Sequence, residues 1–147
     1  PFAGTVSDVR SLQIAAEGAF REAQCAPQDI DYVSAHGSGT RLNDAKETHF
    51  LKILLGDHAR KVPVSGIKSM LGHAQGAASS LEAIACVLSL QHDVLYPTMN
   101  LTTPDPECDL DYIPDEARHC RVQTVLSNAF GLGGTNALVI FRRWTVQ

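Results

Sequence analysis

Residues 30–56 read IDYVSAHGSGTRLNDAKETHFLKILLG. The stretch 30–35 is short, apolar and followed by turn residues, which predicts a β-strand. It runs into the turn HGSGTRLND, whose glycines permit left-handed backbone. Asp44 then reads as the cap of a helix over 45–56, with Glu47 in the capping-box position and Gly56 at its end. Strand, turn and helix in that order are the unit of an α/β fold, and the next stretch repeats it.

Residues 62–67, VPVSGI, predict a second strand, followed by KSMLGHAQGAASS (68–80) and a long helix to about His92. An ordinary helix entry carries a small polar cap and acidic residues in its first turn. This one carries two potential cations, Lys68 and His73, ahead of small residues that would let another backbone pack closely. Upstream, SLQIAAEGAFREAQ (11–24) places Leu12, Ala15, Ala16, Ala19, Phe20 and Ala23 on one helical stripe, which Pro27 ends. Downstream, the Pro- and Asp-rich stretch 98–120 predicts a connection with little regular structure. TVLSNAF (124–130) and ALVIFRRW (137–144) then read as strands joined by the turn GLGGTN.

Helix, strand, helix, strand, helix, then two strands is an α/β layer pattern. Ligands in such folds gather where loops leave the carboxyl ends of strands. Unusual loops occupy those places: 36–40 after the first strand, 68–73 after the second and 130–136 after the third. A histidine beside a turn glycine is, taken singly, more often a surface or capping residue than a functional one. Two histidines and a lysine at strand-end loops of one sheet make a stronger case. Their chemistry would be proton transfer or hydrogen-bond donation to a developing oxyanion. A neighbouring ammonium such as Lys68 would keep an imidazole neutral. GLGGTN is a poor phosphate cradle, since it lacks a third glycine and a Walker lysine. Glu82 reads either as a solvated helix residue or as an acceptor for a buried lysine. His49, His58, His92 and His119 read as surface residues.

These motifs carry a family likeness. HGSGTRLND resembles the HGTGT-x-x-x-D turn of β-ketoacyl synthases, GIKSMLGHAQGAASSLEA resembles their K-S-x-x-G-H-x-x-x-A-A stretch, and SNAFGLGGTNA their N-x-F-G-F-G-G-T-N turn. Order and spacing agree over essentially the whole chain. The resemblance implies a thiolase-like fold of five layers, αβαβα, with residues 1–147 as its C-terminal half. It implies that His36 and His73 are catalytic, donating hydrogen bonds to the thioester oxygen of a malonyl unit as carbon dioxide leaves. Lys68 would tune and orient His73, with Glu82 supporting that network. Ser38 and Thr40 match hydroxyls that bind the phosphopantetheine arm. Phe130, Gly131 and Leu132 fall in the turn bordering the acyl pocket, and the backbone N–H of Leu132 matches one oxyanion-hole donor. The implied reaction is decarboxylative Claisen condensation in fatty acid or polyketide synthesis. It calls for an acyl carrier protein, for no metal or redox cofactor, and for a dimer whose interface borders the pocket.

The chain departs from the family pattern in places. Ser38 stands for a threonine and keeps its hydroxyl. Leu132 stands for a phenylalanine that gates the acyl pocket in many relatives. Arg41 and Asn43 replace the usual proline and glycine. The nucleophile is not evident: Cys25 and Cys86 fall in helical stretches, Cys108 in the acidic connection and Cys120 just before a strand, none in a nucleophile elbow. A companion N-terminal half is therefore expected to supply the thiolate, in keeping with a chain that begins at Pro1. The alternatives are a non-catalytic pairing subunit, or an acyltransferase or decarboxylase on the same scaffold.

Composition agrees with this reading. With 44% hydrophobic and 19% charged residues the chain reads as one soluble domain. A net charge of -4 does not suit nucleic acid, and no apolar run reaches membrane-spanning length. Scattered cysteines without a C-x-x-C pair predict free thiols in a reducing cytoplasm rather than disulfides or zinc.

Overall fold

In the computed structural model, residues 9–144 are described. The first helix, α1 (Val9–Ala23), buries Leu12, Ala16 and Phe20, a run at fourfold spacing on one face. It stops at Gln24, whose backbone is left-handed (φ 50°), just before Pro27. Strand β1 (Tyr32–Ser34) follows, buried throughout. Helix α2 spans Arg41–Leu55. It is succeeded by β2 (Val64–Ser65), a single helical turn α3 (Lys68–Leu71) and helix α4 (Ala78–His92). Short strands β3 (Val94–Leu95) and β4 (Arg118–His119) pair with each other, and β5 (Thr124–Phe130) and β6 (Asn136–Arg142) complete the fold.

The main sheet has the order β2-β1-β5-β6, with β1 parallel to both neighbours and β6 antiparallel to β5. Successive residues of β1 face opposite sides, and each side has its own core. Val33 and Ala35 join Leu126, Phe130 and the apolar faces of α1 and α2. Tyr32 joins Val125, Cys86 and Leu90 on the α4 side. Hydroxyls also meet on that second side: Tyr32 with Ser65, and Tyr96 donating to Ser34 Oγ at 2.5 Å. Helices therefore cover both faces of a mixed sheet.

Two expectations about the helices need correction. The long helix ends at His92 as expected, but the entry before it holds a separate helical turn. Gly72 (φ 74°) and Gln75 (φ 50°) take left-handed backbone, and a 3₁₀ turn at Gln75–Ala77 separates α3 from α4. The second helix starts at Arg41 with Thr40 as its N-cap, so Asp44 lies inside the first turn and Glu47 is not part of a capping box.

The connection 98–120 lies against the open side of β2, where Val64 N–H donates to Asp111 O at 2.7 Å. Arg118 holds Asp111 with a two-pronged ion pair, and Lys52 and Arg60 (3.1 Å) hold Asp109. His58, read as a surface residue, is half-buried and its Nε2 lies 2.8 Å from Ile30 O.

Helix α4 is apolar on two faces. Ala85, Cys86 and Leu90 are buried against the sheet, while Ile84, Val87 and Leu88 on the other side are exposed. A helix that is apolar all round normally lies inside a larger core.

Candidate active site

Because β1, β2 and β5 are parallel, their carboxyl ends open on the same edge of the sheet. Two of the turns leaving that edge nearly touch. Gly37 has φ +45°, and a Cβ placed there would come within 3.2 Å of the Gly66 Cα. A side chain at Gly37 would push the two turns apart.

His36 leaves β1 with 3% of its surface exposed. Its Nδ1 accepts the Phe130 N–H at 3.3 Å and lies 3.4 Å from Lys68 Nζ. Both neighbours are donors, so the ring carries its proton on Nε2. That Nε2 is buried with no hydrogen-bond partner among the described residues. Burial, with the positive charge of Lys68 and the nearby His73, lowers the His36 pKa to about 4. At neutral pH the ring is an uncharged donor.

Lys68 is itself buried. Its Nζ donates to His36 O at 2.5 Å and to Glu82 Oε1, an ion pair with almost no exposure on either side chain. Burial raises the Glu82 pKa, and the hydrogen bond and charge of Lys68 oppose that shift. The reading of Glu82 as acceptor for a buried lysine describes the geometry; its reading as a solvated residue does not. One expectation changes: of the two histidines, Lys68 hydrogen-bonds His36, not His73. Parallel pairing puts the end of β1 beside the end of β2, and so brings Lys68 to His36.

His73 sits on the exposed corner between α3 and α4. Its ring centroid is 5.7 Å from that of His36, with the planes at 80°. Its Nδ1 accepts the Gln75 N–H at 3.1 Å, which leaves Nε2 as the protonated nitrogen here too. Both imidazoles thus have Nδ1 held by a backbone N–H and Nε2–H available to donate.

Glu47 was misread from the sequence. It is 3% exposed, and its Oε1 accepts the His36 N–H at 2.8 Å and the Asn128 amide at 3.1 Å. Its Oε2 accepts the Gly37 N–H at 3.0 Å. The carboxylate thereby fastens the His36 turn to α2 and β5. Burial raises its pKa while these hydrogen bonds lower it. A signal was present: Asn43, Glu47, Phe50, Leu51 and Leu55 fall on one buried stripe of α2, and a charged residue on such a stripe must have partners.

A cavity of about 660 Å³ is lined by Gly37, Ser38, Lys68 and His73 and by Met99, Leu101, Cys108 and Tyr112, with His36 set behind this lining. Ser38 Oγ lies 3.0 Å from Thr40 Oγ1, and Thr40 is exposed at the start of α2. Phe130 packs against His36 with centroids 5.4 Å apart. The turn beyond closes with the Gly131 N–H on Thr135 O at 2.8 Å, and Leu132 stands at its tip, 73% exposed. Gly131 and Leu132 thus lie outside that cavity wall. Cys86 is buried in α4, with burial raising its thiol to about 11, and Cys25 lies just past the end of α1.

Helices on both faces of this sheet, with the histidine pair at its strand ends, form the fold of the thiolase-type ketosynthases. Residues 3–102 match the family profile described as "Beta-ketoacyl synthase, C-terminal domain", and the chain belongs to that family. It is 50% identical over 139 residues to the actinorhodin polyketide putative β-ketoacyl synthase 1 of Streptomyces coelicolor, covering 95% of this chain and 30% of that protein. A type II polyketide ketosynthase solved in complex with its acyl carrier protein superposes with a TM-score of 0.93 at 35% identity, over 98% of this chain and 35% of that one. The ishigamide ketosynthase/chain length factor gives 0.84 at 37% identity, over 89% and 33%. The chain spans about a third of the length of the relatives it matches.

Proposed function

We propose that this domain supplies the decarboxylating half of a ketosynthase active site of the polyketide type. The observation that carries the reading is the pair of imidazoles whose Nδ1 atoms are occupied and whose Nε2–H groups remain to donate. A malonyl thioester placed with its carbonyl oxygen between them would lose carbon dioxide as the C–C bonding pair moves toward that oxygen. The two donors would stabilise the resulting enolate without giving up their protons. The enolate carbon would then attack an acyl group held as a thioester on a cysteine, expelling that thiolate. No metal or redox cofactor enters this chemistry. Ser38 and Thr40 would hold the pantetheine arm, and the Leu132 N–H would serve as one oxyanion donor.

Cys25, Cys86 and Cys120 do not line the cavity, and Cys108, which does, has its thiol pKa raised by burial, so none of the four suits the nucleophile's task. We assign the reactive cysteine to a companion segment, which would seat on the exposed apolar side of α4 and continue the layered fold. A carrier protein would deliver the substrates, and a dimer in the cytoplasm is the expected setting. Polyketide synthesis is preferred over fatty acid synthesis because the relatives carry polyketide names. The intact cluster of His36, Lys68, His73 and Glu82 speaks against a non-catalytic pairing subunit. The test is malonyl-thioester decarboxylation and condensation by the complete enzyme; a complete enzyme that does neither refutes the reading.

Two further results are expected. Leu132→Phe should change acyl-chain preference while keeping the backbone donor, measured with acyl thioesters of graded length. An unchanged profile would place Leu132 away from the acyl chain. Residues 1–147 expressed alone should self-associate, because the exposed side of α4 would be left in water. Light scattering that showed a cooperative, stable monomer would refute the assignment of that face.

A further inference from the structure

The outer wall of the cavity is the segment 98–105, which contributes Thr98, Met99, Leu101 and Asp105. From Leu101 to Pro104 this wall makes no backbone hydrogen bond among the described residues, so its position depends on where it is anchored. On one side the anchor is Ile113 and Asp115: Thr98 N–H donates to Ile113 O at 2.8 Å, Asp115 N–H to Thr98 O at 3.1 Å, and Asn100 N–H to Asp115 Oδ1 at 2.6 Å. On the other side it consists of two hydroxyls. Thr98 Oγ1 accepts the Gly66 N–H at 3.1 Å. Ser69 Oγ accepts the Met99 N–H at 2.8 Å and donates to Gly66 O at 2.7 Å.

Both hydroxyls therefore grip Gly66, the residue that packs against Gly37 beside His36. The chain of contacts runs from the His36 turn through Gly37 and Gly66 to Ser69 and Thr98, then to the wall. Neither hydroxyl hydrogen-bonds an imidazole or the Lys68 ammonium, so their influence acts through the width of the cavity.

We propose that Ser69 and Thr98 are positioning residues that fix the outer wall and so determine how tightly a pantetheine-borne acyl group is held against the histidines. The inference rests on the condensing reading above. A hydrogen-bonded wall is ordered before substrate arrives, which spares the cost of ordering it on binding. A wall displaced by about 1 Å would loosen the fit of the arm without removing a donor.

The test uses the complete enzyme. Hydrogen exchange is followed in the peptide spanning 96–105, and calorimetry measures binding of a non-reactive acyl-pantetheine thioether. The variants are Ser69→Ala, Thr98→Val and their combination, with Ser69→Thr and Thr98→Ser keeping the hydroxyls. Exchange at Met99 should quicken in the variants that lack the Ser69 hydroxyl, while Asn100, held by Asp115, stays slow. Thioether affinity should fall about tenfold in the double variant, the loss expected from two modest hydrogen bonds. KM for carrier-borne malonyl thioester should rise in parallel while kcat stays within about twofold. The hydroxyl-keeping variants should behave as wild type. Unchanged exchange, equal losses in the hydroxyl-keeping variants, or a fall in kcat at constant KM would each overturn the proposal. Failure of the condensing reading has a different signature: wild-type enzyme would not decarboxylate malonyl thioester, and the exchange comparison would still decide the anchor.

Discussion

Glu82→Leu is expected to destabilise the complete enzyme by about 3–5 kcal/mol, because it leaves a buried ammonium without its counter-ion. Lys68 and Glu82 are both nearly inaccessible, and Lys68 Nζ has the Glu82 carboxylate as its charged partner. The penalty is mainly that of the orphaned charge, so removing both charges should recover most of it. The double variant Lys68→Met/Glu82→Leu should unfold within about 1–2 kcal/mol of wild type, since an apolar pair of similar volume can replace a buried ion pair. It should nevertheless lose activity, because His36 would then lack the Lys68 contact on Nδ1. Denaturant unfolding of the two variants beside wild type makes the comparison. If the single variant cost less than the double, the ion pair would not be the buried unit described here.

His36→Ala should lower malonyl decarboxylation by about 10²–10³, the usual loss for one oxyanion donor. His73→Ala should fall in the same range, while substrate binding changes little. The pH profile carries a separate signature. Only the neutral ring leaves Nδ1 free to accept the Phe130 N–H beside Lys68, so protonation there would break the packing that aims Nε2–H, and the His36 pKa is lowered to about 4. Activity should therefore fall on the acid side with a midpoint near that value, not near 6.5, the ordinary value for an imidazole. The same shift has a stability sign. Between about 6.5 and 4 the unfolded chain binds the proton that the folded His36 refuses, so this residue's contribution is lost as pH falls through that window. His36→Ala should flatten that part of the stability curve relative to wild type. An acid limb near 6.5 in the wild type would mean that His36 is not held neutral.

Much of this architecture was legible in the residues. The alternation of short apolar runs with helical stripes yielded the layered class, and the loops at the strand ends were the ones that converge. Local patterns failed where a partner came from elsewhere in the fold. Asp44 and Glu47 satisfy a capping-box spacing, yet the carboxylate was needed by two N–H groups of the His36 turn and an amide of β5. The resemblance assigned Lys68 to His73, whereas parallel strands bring Lys68 to His36. The break between α3 and α4 was hidden because Gly72 and Gln75 sit among helix-tolerant neighbours, and left-handed backbone at Gln75 has no sequence mark.

The hydroxyl layer on the α4 side of the sheet has a consequence for the site at its strand ends. β1 and β2 pair through Val33 with Val64 and Ser34 with Ser65, too short a ladder to resist slippage by backbone bonds alone. A slip of one residue would turn Ser34 and Tyr32 into the aliphatic side of the sheet and strand Val33 among hydroxyls. Tyr96 and Ser65 would lose their partners at the same time. The sheet is therefore keyed, like a lock whose tumblers lie on its α4 side. The spacing between His36 and Lys68 is inherited from that key, so swapping those serines and tyrosines for apolar residues would misalign chemistry they never touch.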